Sequence, residues 1–254
     1  MGRDVIALDD LTVAYARRTA VHGPALDRLS GRFERGSLTA VVGPNGGGKT
    51  TLLKAIAGLI APTAGRIARD PAVRDRIAYL PQLPELDRRF PISVLDTVLL
   101  GHWRAIGWHR AVDAAQRQQA LGALAAVGLG GLERHPIATL STGQFQRMLF
   151  ARLMLQDGAV VLLDEPFAAI DARTAHDLMA IVEAWHDAGR TVIAVLHDLA
   201  LVRRRFPDTL LLARAAVAWG PTGQTLTPAN LARAHGMPEA WDATIESSAA
   251  ASSA

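Results

Sequence analysis

Three short, nearly continuous apolar runs, residues 38–42, 160–163 and 191–196, stand out along the chain. Runs without polar alternation are buried on both faces, as the strands of a parallel sheet covered by helices must be. A further strand is expected near Thr209. Apolar residues at helical spacing mark segments 51–60, 145–155 and 173–188, and a short helix is expected over 228–235. Near the amino end the rhythm changes to alternation, so 5–8, 11–15 and 30–33 read as strands of a smaller antiparallel sheet. From residue 88 onward helix signals dominate. Pro91 stands near a helix start, Ile92, Leu95, Val98 and Leu99 share one face, and a longer helix is expected over 112–127. The pattern predicts an α/β core, residues 1–87 and 156–240, interrupted by a helical subdomain over 88–155. The last residues, 241–254, are rich in Ser and Ala and are expected to be a disordered tail.

The first apolar run leads into Gly43-Pro44-Asn45-Gly46-Gly47-Gly48-Lys49-Thr50, followed by Thr51 and the helical segment. This fits GxxxxGK[ST] in its strand-to-helix context. Glycines let the backbone curl so that amide NH groups point at phosphates, and the helix that follows turns its positive end to the same anion. Lys49 is then placed for the β- and γ-phosphates, and the Thr50 hydroxyl for Mg²⁺. The second run ends in Asp164-Glu165. Ligands of open α/β sheets bind at the carboxyl ends of strands, so Asp164 there can reach Mg²⁺ and Glu165 can polarise an attacking water. ATP with Mg²⁺ is the expected ligand.

The segment Leu140-Ser141-Thr142-Gly143-Gln144, directly ahead of a helix, resembles the LSGGQ signature of the ATP-binding cassette family. Ser141 and Gln144 also fit a capping box, and the two readings are compatible because a helix start with free NH groups suits a phosphate. The resemblance extends over nearly the whole chain. It implies a P-loop NTPase (RecA-like) core, an amino-terminal antiparallel β subdomain and an inserted helical subdomain. It implies that Ser141, Thr142, Gly143 and Gln144 act in trans on ATP held by a second copy, so that the working form is a homodimer. Gln82 resembles the glutamine that senses nucleotide, contributing to catalysis and to Mg²⁺. Asp171, in Ala168-Ala169-Ile170-Asp171, resembles the interface loop, His197 the switch histidine, and Tyr15 the ring that stacks on adenine. Thr142 departs from the family's glycine, which adds a Cβ beside the phosphate-binding amides.

Composition narrows the remaining choices. The chain of 254 residues is half hydrophobic, long enough for a large core, and has no Cys, which excludes disulfides and thiolate metal sites. Its formal net charge is only +3, and the one basic triplet, Arg203-Arg204-Arg205, reads as a solvated helix end, so no nucleic-acid partner is expected. No apolar run approaches the ~18 residues of a membrane span, and the amino end lacks a signal-peptide core. A membrane role must therefore come through an integral permease subunit, with this chain peripheral at the cytoplasmic face of the inner membrane.

No long coiled coil or second cassette is present, which sets aside DNA-repair and translation-associated relatives. The segment 90–101, with Thr142, Phe145, Phe150, Leu196-His197-Asp198 and Ala218-Trp219-Gly220, resembles ATPases of zinc and manganese importers, the zinc branch in particular. This implies zinc uptake served by a periplasmic or surface metal-binding protein. Manganese, siderophore, haem or cobalamin import, and iron-sulfur cluster assembly, stay open as alternatives. The eight His residues are dispersed, and His102 and His109 are expected at the surface.

Overall fold

The computed structural model describes residues 4–15, 23–83, 87–107 and 110–236. The expected tail at 241–254 and His109 lie outside them. Five of the six strands of the main sheet are parallel. Their order is β5-β6-β7-β3-β8-β9, built from β3 (Leu38–Val42), β5 (Ile77–Leu80), β6 (Val160–Asp164), β7 (Thr191–Val195), β8 (Asp208–Ala213) and β9 (Ala215–Pro221). Only β9 runs antiparallel, paired with β8. A second sheet is antiparallel throughout, with order β2-β1-β4 and strands β1 (Asp4–Val13), β2 (Leu26–Glu34) and β4 (Ala64–Arg69).

The continuous apolar runs are explained by two cores, one on each face of the parallel sheet. Val41, Leu162, Ile193 and Leu210 face the antiparallel sheet and helix α1 (Lys49–Ile56), where they meet Ile6, Leu11, Leu29 and Leu52. Their neighbours Val42, Leu163, Ala194 and Leu211 face the other way, into a core shared with the remaining helices. These are α2 (Val94–Leu99), α3 (Trp103–Ile106), α4 (Ala114–Ala126), α5 (Thr142–Met154), α6 (Ala172–Asp187), α7 (Leu199–Arg205) and α8 (Thr222–Thr225). Residues 228–236 form a further helical stretch. Side chains alternate between faces along a strand, so a strand buried on both must be apolar at every position.

Two sequence expectations need correction, and strands β4, β5 and β9 stand where none is expected. Residues 5–8 and 11–15 are not two strands: one strand spans Asp4–Val13, kinked where Asp10 takes φ 47° and the pairing register shifts. Strand β4 was not anticipated, because its residues are mostly exposed and its pattern, Ala-Gly-Arg-Ile-Ala-Arg, carries little apolar signal. His102 is buried rather than at the surface, in a single 3₁₀ turn after α2 that is held against the end of α5, where Gly101 passes the Arg152 carbonyl.

Helix α5 packs against both the helical segment and the sheet. Phe150 on it is fully buried and stacks on Trp185 of α6, centroids 5.7 Å apart and 9° between planes, and on Phe167 at 6.5 Å. Arg88 donates to the Leu140 carbonyl and lies 4.7 Å above the Phe145 ring, fixing the loop ahead of α5. Replacing Phe150 with Ala removes a buried ring from two aromatic contacts. It should destabilise the protein by about 3–5 kcal/mol, read as a lowered urea midpoint with unchanged slope.

Candidate functional site

The parallel order places the carboxyl ends of β5, β6, β7 and β3 side by side, with Leu80 opposite Leu163, and Asp164 and Val41 both opposite Val195. Everything that leaves these strands therefore emerges at one edge. β3 delivers the 43–48 loop, β5 delivers Gln82, β6 delivers Asp164 and Glu165, and β7 delivers His197.

The loop can lie this close to the sheet only because of its glycines. Gly43 has φ 152°, and a Cβ on it would fall 1.9 Å from the Leu212 carbonyl oxygen of β8. At Gly48, with φ 90°, it would fall 2.4 Å from the carbonyl oxygen of Ala25. Either addition would push the loop outward. Lys49 opens α1 and is buried, its Nζ donating to the carbonyls of Gly43 (2.9 Å) and Pro44 (2.8 Å). Burial pushes the Lys49 pKa down, while the nearby carboxylates of Glu165 and Asp164 act in the opposite sense. Asn45, Gly46, Gly47, Thr50, Thr51, Gln82 and Glu165 line the same depression. The Tyr15 hydroxyl lies 3.2 Å from Thr51 Oγ1, which brings the ring to the base of the loop.

Asp164, the last residue of β6, is 1% exposed. Thr50 Oγ1 donates to its Oδ1 at 3.2 Å, and the Tyr79 hydroxyl reaches Oδ2 at 3.4 Å. Gln82 Nε2 lies 3.2 Å from Thr50 Oγ1, 3.4 Å from Asp164 Oδ1 and 2.8 Å from Glu165 Oε1. His197 Nε2 is 2.7 Å from the same Glu165 oxygen. Glu165 holds φ 51°, a left-handed conformation that costs a residue with a side chain about 1–3 kcal/mol. A carboxylate kept in such a conformation, between an amide and an imidazole, is oriented toward the glycine loop. Thr50 and Asp164 supply hydroxyl and carboxylate oxygens, hard donors that fit Mg²⁺, whereas Gln82 turns its Nε2 toward them and would offer an oxygen only with its amide flipped.

The structure therefore brings together Tyr15, the whole of 43–51, Gln82, Asp164, Glu165 and His197. It does not bring the 141–144 segment to them, since no residue of that segment lines the depression. Ser141 caps α5 instead. Its Oγ accepts from Gln144 N at 3.2 Å, and Gln144 Oε1 accepts from Ser141 N at 2.9 Å. Asp171 lies with this second group. It caps α6, accepting from the Thr174 amide (2.9 Å) and hydroxyl (2.7 Å), and these bonds hold its pKa below the ordinary carboxylate value. Thr174 and Asp171 are the nearest side chains to Gly143. Two contributors were missed in the sequence. Tyr79 was legible only as a neighbour of Gln82, and Ala25, which lines the depression, is an ordinary small residue with no signal at all.

Comparison with known proteins agrees with this geometry. The family model of the ABC transporter matches residues 26–168, more than half of the chain. The manganese transport system ATP-binding protein MntB of Listeria monocytogenes is 40% identical over 233 residues, covering 90% of this chain and 95% of that one. The zinc transport system ATP-binding protein TroB of Treponema pallidum is 35% identical, covering 91% and 86%. Among solved structures, a dimeric bacterial ABC transporter cassette superposes with a TM-score of 0.73 at 25% identity, covering 85% of this chain and 98% of the other. The chain belongs to the ABC transporter family, as an ATPase with the cassette fold.

Proposed function

We propose that this chain is the ATP-hydrolysing subunit of an importer for a divalent metal ion. It works as a homodimer on the cytoplasmic face of the membrane, beneath an integral permease fed by a metal-binding protein outside. The observation that carries the ATPase half of this reading is the convergence of Gln82 and His197 on one oxygen of Glu165, beside the glycine loop. Among the described residues no helix is long and apolar enough to cross a membrane, which is why the reading requires a separate permease.

In this reading the 43–51 segment holds the phosphates, with Lys49 charged against the β- and γ-groups, and the Tyr15 ring meets adenine. Thr50 and Asp164 would hold Mg²⁺, joined by Gln82 once its amide oxygen is turned toward them, and the ion would offset phosphate charge. Glu165 accepts the proton of the attacking water, and His197 fixes the direction in which its carboxylate points. The 141–144 segment serves the other copy. Its capping box uses the amides of Ser141 and Gln144 internally, while those of Thr142 and Gly143 make no hydrogen bond among the described residues. Two free amides at a helix start suit a γ-phosphate. A Cβ at position 142 is sterically acceptable there, because Thr142 is the first residue of the helix. Asp171 runs along the dimer interface. The helices of 88–155 form the part that meets the permease, and Trp103, 57% exposed, and Leu100, 44% exposed, offer it an apolar surface.

The 90–101 segment resembles those of zinc and manganese importers alike, the segments around 142–150, 196–198 and 218–220 favour zinc, and manganese is the cargo named for the relative at 40% identity. Both ions are divalent, and the cassette itself contacts neither, so the choice rests with the permease.

Two biochemical outcomes are expected. Glu165→Gln should retain ATP binding while turnover falls by about 10²- to 10⁴-fold, because the proton acceptor is lost and the phosphate cradle is not. Lys49→Ala should instead weaken ATP binding, measured by fluorescence titration of the purified chain. Wild-type turnover in the first variant, or unchanged affinity in the second, would remove the ATPase assignment of these residues.

The cargo is tested in cells. A strain lacking this gene and any second importer of the same ions should lose growth under chelation, with cellular zinc lowered if zinc is the cargo and manganese lowered if it is the other. Lys49→Ala should behave as the deletion. Normal contents of both metals under chelation would reject metal import.

A further inference from the structure

Gln146 is 2% exposed, yet it sits in the middle of a helix face otherwise occupied by Phe145, Met148, Leu149 and Phe150. Its Nε2 donates to the Pro166 carbonyl at 2.6 Å. Its Oε1 is also buried and has no hydrogen-bond partner. Leaving a buried acceptor unsatisfied is destabilising, and an apolar side chain of similar volume would avoid that cost. The residue therefore spends stability to place one donor on one carbonyl.

That carbonyl belongs to the residue directly after Glu165. Pro166 has no NH of its own, so its carbonyl is its one backbone hydrogen-bonding group, while Glu165 beside it is tied at its NH to Val195 and at its carbonyl to the Ala168 amide. The segment it opens is strained at both Glu165 (φ 51°) and Ala169 (φ 58°), and such conformations persist only where surrounding contacts over-determine them. The far end of the segment is tied to the same helix. Arg147 Nη2 donates to Thr174 Oγ1 at 2.9 Å, and that hydroxyl donates to Asp171 Oδ2 at 2.7 Å. Adjacent residues of α5 thus grip both ends of the 165–171 loop.

We propose that Gln146 is a positioning residue for ATP hydrolysis, holding the Pro166 carbonyl so that α5, whose first turn carries Ser141, sets the conformation of Glu165 in the same chain. This rests on the reading of Glu165 as the proton acceptor and of the 141–144 segment as acting on a second copy. Its consequence is a rigid link between the two nucleotide sites of a dimer. When the start of α5 is drawn onto the partner's nucleotide, the displacement reaches Glu165 through one hydrogen bond, and Arg147 carries it to Asp171.

The test uses Gln146→Met in the full chain with its co-purifying membrane partner. Met fills a similar volume and cannot donate. Turnover should fall about tenfold to a hundredfold with the KM for ATP within about twofold of wild type, because the acceptor is misplaced and the cradle is intact. The melting temperature should be unchanged or higher, since the orphaned acceptor is gone. In single-turnover measurements on the Glu165→Gln background, Gln146→Met should change the residual rate by less than about twofold, as expected for a residue acting through Glu165. Gln146→Leu carries the same expectations and is the second variant if the first does not fold. Turnover near wild type in a folded variant overturns the proposal, as does a full additional loss on the Glu165→Gln background. Wild-type turnover of Glu165→Gln alone would instead sink the underlying assignment of Glu165, so the two failures are distinguishable.

Discussion

A buried carboxylate governs the architecture of this edge of the sheet. Asp164 is almost completely removed from water, and an ionised carboxyl in that setting must be surrounded by donors and positive charge. Its hydrogen-bond partners come from separate elements: Thr50 from α1, Tyr79 from β5 and Gln82 from the chain beyond β5. Lys49 contributes charge from within the same field. None of these donors can be supplied if β5 or β3 slips by one residue, since a one-residue slip turns every side chain of a strand to the opposite face. The register of β5 on β6 and the position of the glycine loop are thus coupled through one acidic side chain.

The glycine loop obeys a complementary constraint. It lies against the β8 backbone at a separation that permits no Cβ at Gly43, and the Arg214 amide just past β8 donates to the Gly47 carbonyl at 2.8 Å. The loop is therefore held by the sheet's own backbone, before any ligand contributes. A loop fixed in this way loses less ordering entropy when a ligand binds.

Much of this was legible in the sequence, and for physical reasons. The runs ending at Val42, Leu163 and Leu196 are nearly continuously apolar because two cores need them, and a sheet of such strands has one edge where polar residues can collect. The capping box at Ser141 was legible because its two members stand at a fixed spacing. What could not be read depends on long-range packing. Strand β4 is recruited by β1 with little apolar signal of its own. His102 looks like a surface histidine until the 3₁₀ turn folds it against α5. Trp219 carried only a family resemblance, whereas the structure gives it a physical place: it packs on Phe33 at 4.7 Å and over Gly31, where any Cβ would strike the ring. Gln146 was invisible as well, since a polar residue in a helix usually signals the solvated face, and only the fold turns it toward Pro166.

The two groups of site residues differ in how their polar atoms are satisfied. Around Glu165 the side chains satisfy one another: carboxylate, amide, imidazole and hydroxyl form a connected cluster within one chain. Around Ser141 the cap satisfies only part of the helix start, and the amides of Thr142 and Gly143 make no hydrogen bond among the described residues. The first group can hold a charged ligand and orient a water, yet it offers no helix start to the ligand's far side. The second can bind an anion, yet it has no lysine and no carboxylate to act on it. Neither lines the other's depression, and in the reading proposed above their complementarity is fulfilled between copies. Two copies related by a twofold axis would complete both sites at once, each contributing its cluster to one and its helix start to the other. In such an arrangement ligand binding and association are the same event, and α5, which carries the helix start and grips the loop behind Glu165, is the element that both sites share.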